Sequence, residues 1–214
     1  MLLGSFIDST NANTALDIGA GTGVLSLMVL QKNPRLQLDA VEIHVEAAEE
    51  CSLNFTNSPW GTSAKTHAID FLDFHPKKRY DLIFSNPPFY LDGLKSGDEN
   101  SDQAKHISRE QYVKFICKTA GLLTENGLFY VIVPFDQLDY LHNIAKENQL
   151  YLLQKIIIHA TEEKLNSRII LRFSKQFASL TQMEFTVRLK NGNYTSEYIE
   201  LTKMYHFKDL SAGT

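Results

Sequence analysis

Two short segments of the sequence combine residue types that could hold a small molecule and act on an amino group. Residues 17–23 read Asp-Ile-Gly-Ala-Gly-Thr-Gly, and residues 85–90 read Ser-Asn-Pro-Pro-Phe-Tyr. Glycines let a backbone turn sharply and approach a ligand without interference from a Cβ atom. Tandem prolines make a segment rigid and cannot continue a strand. Each segment directly follows a strand-like apolar run, which predicts a ligand site where strands end.

The glycine-rich segment indicates S-adenosylmethionine rather than a dinucleotide. A dinucleotide turn has a third glycine where this sequence has Val24. The preceding strand also ends in Asp17, which would repel a pyrophosphate and attract the cationic amino-acid part of S-adenosylmethionine. A glycine turn with a purely structural role is the remaining alternative. The predicted cofactor contacts in this segment are Asp17, Gly19, Ala20, Gly21, Thr22 and Gly23.

Acidic residues end the next two predicted strands. Glu42 can accept both hydrogen bonds of a ribose diol, and Ile43 beside it can cover one face of an adenine. Asp70 can accept a hydrogen bond from the adenine amine while Phe71 packs nearby. Asp73 is an alternative to Asp70 because it lies only three residues away. We therefore predict that Glu42, Ile43, Asp70 and Phe71 contact the cofactor.

The proline-containing segment suits methylation of a planar amine. Such an amine is a weak nucleophile because its lone pair is delocalised into the ring. The Asn86 side-chain oxygen and the Pro87 carbonyl can each accept one amine hydrogen, which favours the tetrahedral nitrogen of the transition state. Phe89 offers a face for stacking. We predict Asn86, Pro87, Pro88 and Phe89 as catalytic residues, with Asn86 also touching the cofactor; a rigid turn without a chemical role is the alternative.

An alternating pattern of strands and helices would bring these segments together. Residues 1–150 read as five strand–helix units, the pattern of an α/β protein with a parallel sheet. Tyr151–His159 and Arg168–Phe173 have no helix between them and predict an antiparallel pair at the sheet edge. Residues 1–178 are therefore expected to form one domain with a seven-stranded, mostly parallel sheet.

The last part of the chain is predicted to be a β-hairpin. Glu184–Lys190 and Tyr194–Leu201 flank Asn191-Gly192, a strong signal for a hairpin turn. We expect residues 179–214 to form this extension and to pack on the same domain. Asp136 is expected to cap the helix that precedes Tyr151.

Composition narrows the class of protein. The chain has 214 residues, 43% of them hydrophobic and 21% charged, which suits a folded domain of ordinary size. It lacks a long apolar run or a signal-peptide pattern, so a cytoplasmic protein without a membrane span is expected. Cys51 and Cys117 are too far apart for a metal or redox motif and are expected to be reduced core thiols. A monomer is favoured.

Charge is distributed unevenly along the chain. The formal net charge is −4, made of −7 in residues 1–150 and +3 in residues 151–214. A polyanion could dock on the basic C-terminal part, although electrostatic steering would be modest.

The sequence resembles class I methyltransferases that carry an Asn-Pro-Pro-aromatic motif and act on amino groups of adenine, guanine or glutamine. The likeness covers nearly the whole chain and extends to the bacterial tRNA(Val) adenine-N6 methyltransferases. The segments that carry it are residues 17–23, 40–42, 57–60, 85–89, 95–96, 104–106 and 201–203. The resemblance implies a Rossmann-like sheet, S-adenosylmethionine without a metal, and tRNA as the partner. It also implies direct in-line transfer of the methyl group to the exocyclic N6 amine of a flipped-out adenine.

The resemblance includes a polar loop, and the sequence differs from the family pattern at two places. It implies that the polar loop at residues 91–107 closes on substrate, with Tyr90, Lys95, Lys105 and His106 near the RNA. Phe89 stands where many relatives have tyrosine, so stacking is kept and a hydroxyl is lost. Relatives normally have a further segment, including a glycine-containing turn that borders the cofactor, before the equivalent of Leu2-Leu3-Gly4. The given sequence begins at Met1, so we expect that segment to be missing from it.

Four other functions remain open from the sequence. The same motif serves guanine-N2 methylation of ribosomal RNA and glutamine-N5 methylation of a release factor. A cofactor-binding module without catalysis is a third possibility, and Asn86 argues against it. A nicotinamide dehydrogenase is disfavoured by the missing third glycine.

Overall fold

The computed structural model describes residues 1–87, 90–91, 106–107 and 109–206. The predicted site residues Pro88, Phe89, Lys95 and Lys105 lie outside the described residues. The strands are β1 (Thr14–Ile18), β2 (Gln37–Glu42), β3 (Ala64–Ala68), β4 (Tyr80–Ser85), β5 (Tyr90–Leu91), β6 (His106–Ile107), β7 (Leu123–Pro134), β8 (Tyr151–Thr161), β9 (Arg168–Ser174) and β10 (Thr181–Arg188). The helices are α1 (Leu2–Phe6), α2 (Val24–Lys32), α3 (Val45–Thr56), α4 (Arg109–Leu122), α5 (Leu138–Glu147) and α6 (Ser196–Thr202).

Eight of the strands form one twisted, mostly parallel sheet in the order β10-β8-β9-β7-β4-β1-β2-β3. Strands β1 to β4 and β7 run parallel, and β9 runs antiparallel to both of its neighbours, β7 and β8. The α/β class, the parallel core and the antiparallel pair are therefore confirmed. The predicted count of seven strands is wrong by one, because β10 adds to the sheet beside β8 in a parallel register.

The C-terminal extension is not the predicted hairpin. Its turn is present, with Gly192 at a φ of 86°, but the predicted second arm, Tyr194–Leu201, contains helix α6 instead. Thr195 caps this helix by accepting a hydrogen bond from the Tyr198 N–H at 3.2 Å. Among the described residues, antiparallel pairing after the turn is limited to a bridge between Arg188 and Tyr194. A threonine cap followed by Ser196 and Glu197 therefore outweighs the hairpin signal.

Helices cover both faces of the sheet. On one face α4 and α5 pack on an apolar cluster that includes Phe129, Phe173 and Leu141. On the other face α1, α2, α3 and α6 contribute to a second cluster that includes Phe84 and Phe185. Both faces of the central strands are thus buried, as expected for parallel sheets. None of the helices in the described part of the chain is long and apolar enough to cross a bilayer.

Two local predictions are wrong. Cys51 is buried as expected, but Cys117 is exposed, because the buried face of α4 includes Phe115, Ile116 and Thr119 and leaves Cys117 on the outer side. The predicted cap Asp136 lies inside a 3-10 turn, Phe135–Gln137, and α5 begins only after this turn.

Candidate active site

The strand ends meet at one edge of the sheet and border two cavities. Because β1, β2, β3 and β4 run parallel, their carboxyl ends lie side by side. A smaller cavity of about 450 Å³ lies toward β2 and β3. A larger cavity of about 810 Å³ lies on the other side of the glycine turn. Gly19 and Asn86 line both cavities, so the two predicted segments adjoin where the cavities meet.

The structure brings most of the predicted site residues together. The smaller cavity is lined by Gly19, Glu42, Ile43, Asp70, Phe71, Asn86 and Pro87. The larger cavity is lined by Gly19, Ala20, Gly21, Thr22 and Asn86. Asp17 and Gly23 are not among the described residues that line either cavity. Tyr90 and His106 pair through their backbones in the short strands β5 and β6, which brings the two ends of the polar loop together.

The glycine turn presents bare backbone to the larger cavity. Gly19 and Gly21 have φ values of 73° and 55°, the left-handed region that glycine tolerates. An added Cβ at either position would meet nothing within 4 Å. The N–H groups of Gly19 and Ala20 donate to the Val41 carbonyl at 2.9 and 3.1 Å, which fixes the turn against β2. A ligand can therefore approach this backbone closely.

Gly23 serves packing rather than ligand contact. Its φ is 83°, and an added Cβ would lie 2.7 Å from Cys51 Sγ and 3.0 Å from Phe55. It begins α2, so the close approach of α2 to α3 depends on the missing side chain. The direct cofactor contact of Gly23 stays a prediction.

Gly23→Ala is expected to destabilise the fold more than Gly192→Ala. Gly192 has a similar φ of 86° and open space around it, so its substitution isolates the backbone strain, about 1 kcal/mol. Gly23→Ala adds the clash with Cys51, for a further loss of about 1–3 kcal/mol. Urea unfolding of both variants measures the difference. Equal losses of stability in the two variants would show that α2 and α3 can move apart to accommodate the added methyl group at no cost.

Glu42 is buried and held from two sides. The side chain accepts from the Gly21 N–H at 2.8 Å through Oε2 and from the His44 N–H at 2.9 Å through Oε1. A carboxylate has about four acceptor positions, so each oxygen keeps one for a ligand. The residue also lines the smaller cavity. Glu42 therefore couples the glycine turn to the end of β2 and can still accept two hydroxyl groups.

Asp17 lies beneath the glycine turn. It is 1% exposed, and its Oδ2 accepts from Ser26 Oγ at 2.7 Å. Burial, together with the nearby charge of Glu42, raises the pKa of the Asp17 carboxyl to about 7. Its direct contact with the amino group of a cofactor stays a prediction, and the structure shows that its bond to Ser26 supports the first turn of α2.

Asp70 and Phe71 form the far wall of the smaller cavity. Asp70 accepts from the Leu72 N–H at 2.8 Å and thereby caps a 3-10 turn, Phe71–Asp73. Phe71 packs edge-on against Phe115 with ring centroids 5.4 Å apart. Asp73 is not among the described residues that line this cavity. Between the two candidate acids, the geometry therefore favours Asp70.

Asn86 is fixed next to the glycine turn by its neighbours. Ser85 Oγ donates to the Ile18 carbonyl at 2.7 Å, which ties the end of β4 to the end of β1. Pro87 is buried and Asn86 is exposed. The backbone at Asn86 is thus anchored on both sides while the residue itself remains accessible.

Comparison with known proteins identifies the family. The methyltransferase small domain family matches residues 1–155, which include both cavity-lining segments. The chain belongs to this family. A tRNA1(Val) (adenine(37)-N6)-methyltransferase of Flavobacterium johnsoniae is 36% identical over 97% of this chain and 90% of its own length. A relative of the same name from Bacteroides thetaiotaomicron is 30% identical over 96% of this chain and 87% of its length.

Solved structures agree on the fold. A predicted O-methyltransferase from Agrobacterium tumefaciens has a TM-score of 0.73 at 15% identity, with 94% of each chain covered. A ribosomal protein L11 methylase from Lactobacillus delbrueckii subsp. bulgaricus has a TM-score of 0.58 at 18% identity, covering 82% of this chain and 77% of its own. The predicted resemblance to methyltransferases is confirmed by the family match and the named relatives.

The family and the fold imply that this methyltransferase uses S-adenosylmethionine, and its residues fit that cofactor. The open backbone at Gly19 and Gly21 leaves room for a ligand that a side chain would fill. Glu42 offers two acceptor positions beside an apolar cavity with Phe71 in its wall. These features match the polar ribose and the flat adenine of the cofactor.

Other wall residues of this methyltransferase were not identified from the sequence. Gln111 and Phe115 of α4 line the smaller cavity, and Arg168, Arg188 and Tyr194 line the larger one. The two residues on α4 come after the polar loop in the chain. No local sequence pattern indicates which residues of a helix face the end of a strand. The arginines could be found by asking which basic residues lie at the carboxyl edge of the sheet.

The pH dependence of stability should change in Asp17→Asn. A carboxyl with a raised folded-state pKa keeps its proton while the unfolded chain loses it, so stability falls as pH rises from about 4 to about 7. Asparagine mimics the protonated acid and removes this loss. Thermal unfolding between pH 4.5 and 8.5 should show that the melting temperature of the variant increases relative to that of the wild type as pH rises. Parallel profiles would contradict the raised pKa of Asp17.

Proposed function

We propose that this methyltransferase transfers a methyl group from S-adenosylmethionine to the N6 amine of adenine 37 in a valine tRNA. The observation that carries the proposal is that Asn86 stands where the two cavities meet, beside Gly19. The names of the relatives, at 36% and 30% identity over nearly the whole chain, support the choice of substrate. The +3 net charge of residues 151–214 suits a nucleic-acid partner.

The smaller cavity would hold the nucleoside part of the cofactor. Glu42 would accept the two ribose hydroxyls, Asp70 would accept from the adenine amine, and Ile43 and Phe71 would cover the ring. Ile43 is 57% exposed, so its face is accessible. The bare backbone of residues 19–22 would border the amino-acid part. When bound, S-adenosylmethionine supplies a methyl group activated by a positively charged sulfur.

Asn86 and Pro87 would position the target amine. The Asn86 oxygen and the Pro87 carbonyl each accept one N–H, which directs the nitrogen lone pair toward the methyl group and favours the tetrahedral nitrogen. The adenine must leave its stack to reach this position, and Phe89 beside Pro88 would stack on the extruded base. The product nitrogen is acidic enough to lose its proton to water, so no general base is required.

The polar loop would complete the substrate side. Tyr90, Lys95, Lys105 and His106 are proposed to contact the RNA, with the two basic lysines near phosphates. Pairing of β5 with β6 brings the two ends of the loop together. The resemblance to the family supports the proposal that this loop closes on the substrate.

A methyl-transfer assay tests the function. The protein is incubated with S-adenosylmethionine carrying a labelled methyl group and, separately, with unmodified tRNA, ribosomal RNA and a release factor. Label recovered as N6-methyladenosine at position 37 of the valine tRNA supports the proposal. Label in ribosomal RNA or protein would keep the chemistry and refute the substrate. Cofactor binding without transfer to any of the three would favour a non-catalytic module.

A further inference from the structure

The wall of the larger cavity carries two arginines from strands far apart in the chain. Arg168 begins β9 and Arg188 ends β10. Because β9 runs antiparallel and β10 runs parallel to the central strands, both residues lie at the carboxyl edge of the sheet. That is the edge where Asn86 follows β4, and all three residues line the same cavity.

Arg188 is held in a fixed orientation. Its guanidinium lies 3.9 Å from the ring centre of Tyr194. Tyr194 in turn stacks on Tyr198, with ring centroids 4.4 Å apart and planes at 12°. Arg188 Nη1 also donates to the Gly192 carbonyl. An arginine has five donor hydrogens in a flat fork, so an oriented guanidinium keeps donors for an oxyanion such as phosphate.

The charged side chains in the described lining of this cavity are basic, although the protein as a whole is acidic. Its described lining includes Arg168 and Arg188 and contains no aspartate or glutamate. Arg168 is exposed, and its side chain makes no ion pair with any residue in the described part of the chain. Arg168, without an ion-pair partner among the described residues, lines the same cavity as the oriented Arg188 in a chain of net charge −4, and this combination indicates an anionic ligand.

We infer that Arg168 and Arg188 bind phosphate groups of the nucleic-acid strand on either side of the methylated base, with Tyr194 positioning Arg188. The inference rests on the proposed function and adds two residues that lie outside both sequence motifs, residues 17–23 and 85–90. A cation pair here anchors the RNA backbone without reading its sequence. Its role is to hold the strand while the target base turns toward Asn86.

Strand order places the two arginines away from the proposed binding site for the nucleoside part of the cofactor. The cofactor-binding residues follow β1, β2 and β3, on one side of β4. The arginines belong to β9 and β10, which lie two and four places beyond β4 on the other side. At about 4.8 Å between strands, these places are roughly 10 and 19 Å from the end of β4. The arginines thus lie on the side of β4 that faces away from the smaller cavity, which leaves that side for the polynucleotide.

Binding of unmodified tRNA to three variants tests the inference. Arg168→Gln and Arg188→Gln each remove one charge, and Arg35→Gln is the matched control because Arg35 is exposed and precedes β2 at the opposite edge of the sheet. Affinity is measured by fluorescence anisotropy over a series of salt concentrations. Loss of one phosphate contact should weaken binding by about 10-fold and reduce the slope of log affinity against log salt by about 1. Affinity for S-adenosylmethionine, measured by calorimetry, should not change.

Conservative variants sharpen the result. Arg168→Lys should restore most of the affinity and the salt slope, because a point charge suffices for an exposed contact. Arg188→Lys should restore the slope but not the full affinity, since the flat stack on Tyr194 is lost. If the arginines had only a structural role, the two lysine variants would not differ in how far they restore tRNA affinity and the salt slope.

Three outcomes would overturn the inference. Arg168→Gln and Arg188→Gln could bind tRNA with the affinity and slope of Arg35→Gln, or they could lose affinity for the cofactor instead of tRNA. The latter would assign the arginines to the cofactor carboxylate. If the wild-type protein places label only in another substrate, the proposed function fails and the inference fails with it. Methylation of tRNA by the wild type together with unaffected variants refutes the inference alone.

Discussion

Asn86→Ala should lower methyl transfer by about 100- to 1000-fold, the usual loss when one hydrogen-bonding group is removed from a developing charge in a transition state. The structure gives the reason. Asn86 is exposed at the junction of the two cavities, while Ser85 and Pro87 on either side of it are buried. The variant would lose the amide that we propose orients the amine and would keep the backbone that forms the site.

The loss must appear in turnover rather than in binding. Single-turnover rates with tRNA and calorimetric affinity for S-adenosylmethionine separate the two quantities. Asn126→Ala is a suitable control, because Asn126 is exposed and lies near the start of β7, at the opposite edge of the sheet. Turnover by Asn86→Ala close to that of the control would refute the amine-positioning role.

Glu42→Ala should weaken cofactor binding by about 100-fold, which corresponds to about 3 kcal/mol. Two effects combine. The ribose would lose the charged acceptor that we propose for it, and the Gly21 N–H would lose the partner that holds it at 2.8 Å. The turn then has to be ordered by the ligand itself, which costs further affinity.

Glu42→Gln separates these effects. Glutamine keeps the size of the side chain, but its amide group would face one of the two N–H donors of Gly21 and His44. Its affinity should therefore lie between those of the wild type and Glu42→Ala. Glu49→Ala, a change of an exposed carboxylate on α3, controls for net charge. Calorimetry that shows equal affinity in Glu42→Ala and Glu49→Ala would remove Glu42 from the site.

Strand ends were the most predictable part of the site. The glycine turn could be recognised from the sequence because its glycines directly follow a strand-like apolar run, and in the structure the turn joins β1 to α2. Parallel strands then bring Glu42, Asp70 and Asn86 to one edge whatever lies between them. These residues could be grouped from sequence because their positions depend on topology and not on side-chain packing.

Other features depend on contacts that local patterns do not encode. Asn191-Gly192 specifies a turn, but Thr195 then caps a helix that buries Tyr198 in the core. Asp17 reads as a ligand from its place before the glycines, whereas its bond to Ser26 is visible only in the fold. Arg168 and Arg188 meet in one cavity only because β9 is antiparallel and β10 is added beside β8.

Strand β9 lies between β7 and β8 in the sheet, although it follows both of them in the chain. A fragment that ends where the family match ends therefore lacks a strand that the sheet needs. The family match ends at residue 155, inside β8. In the sheet, both hydrogen-bonded neighbours of β8 come later in the chain, and so does one neighbour of β7. A fragment cut at the family boundary would leave apolar β7 and β8 with bare edges, which promotes aggregation. A fragment that keeps β7 paired on both sides must therefore extend at least through β9, beyond the end of the family match at residue 155.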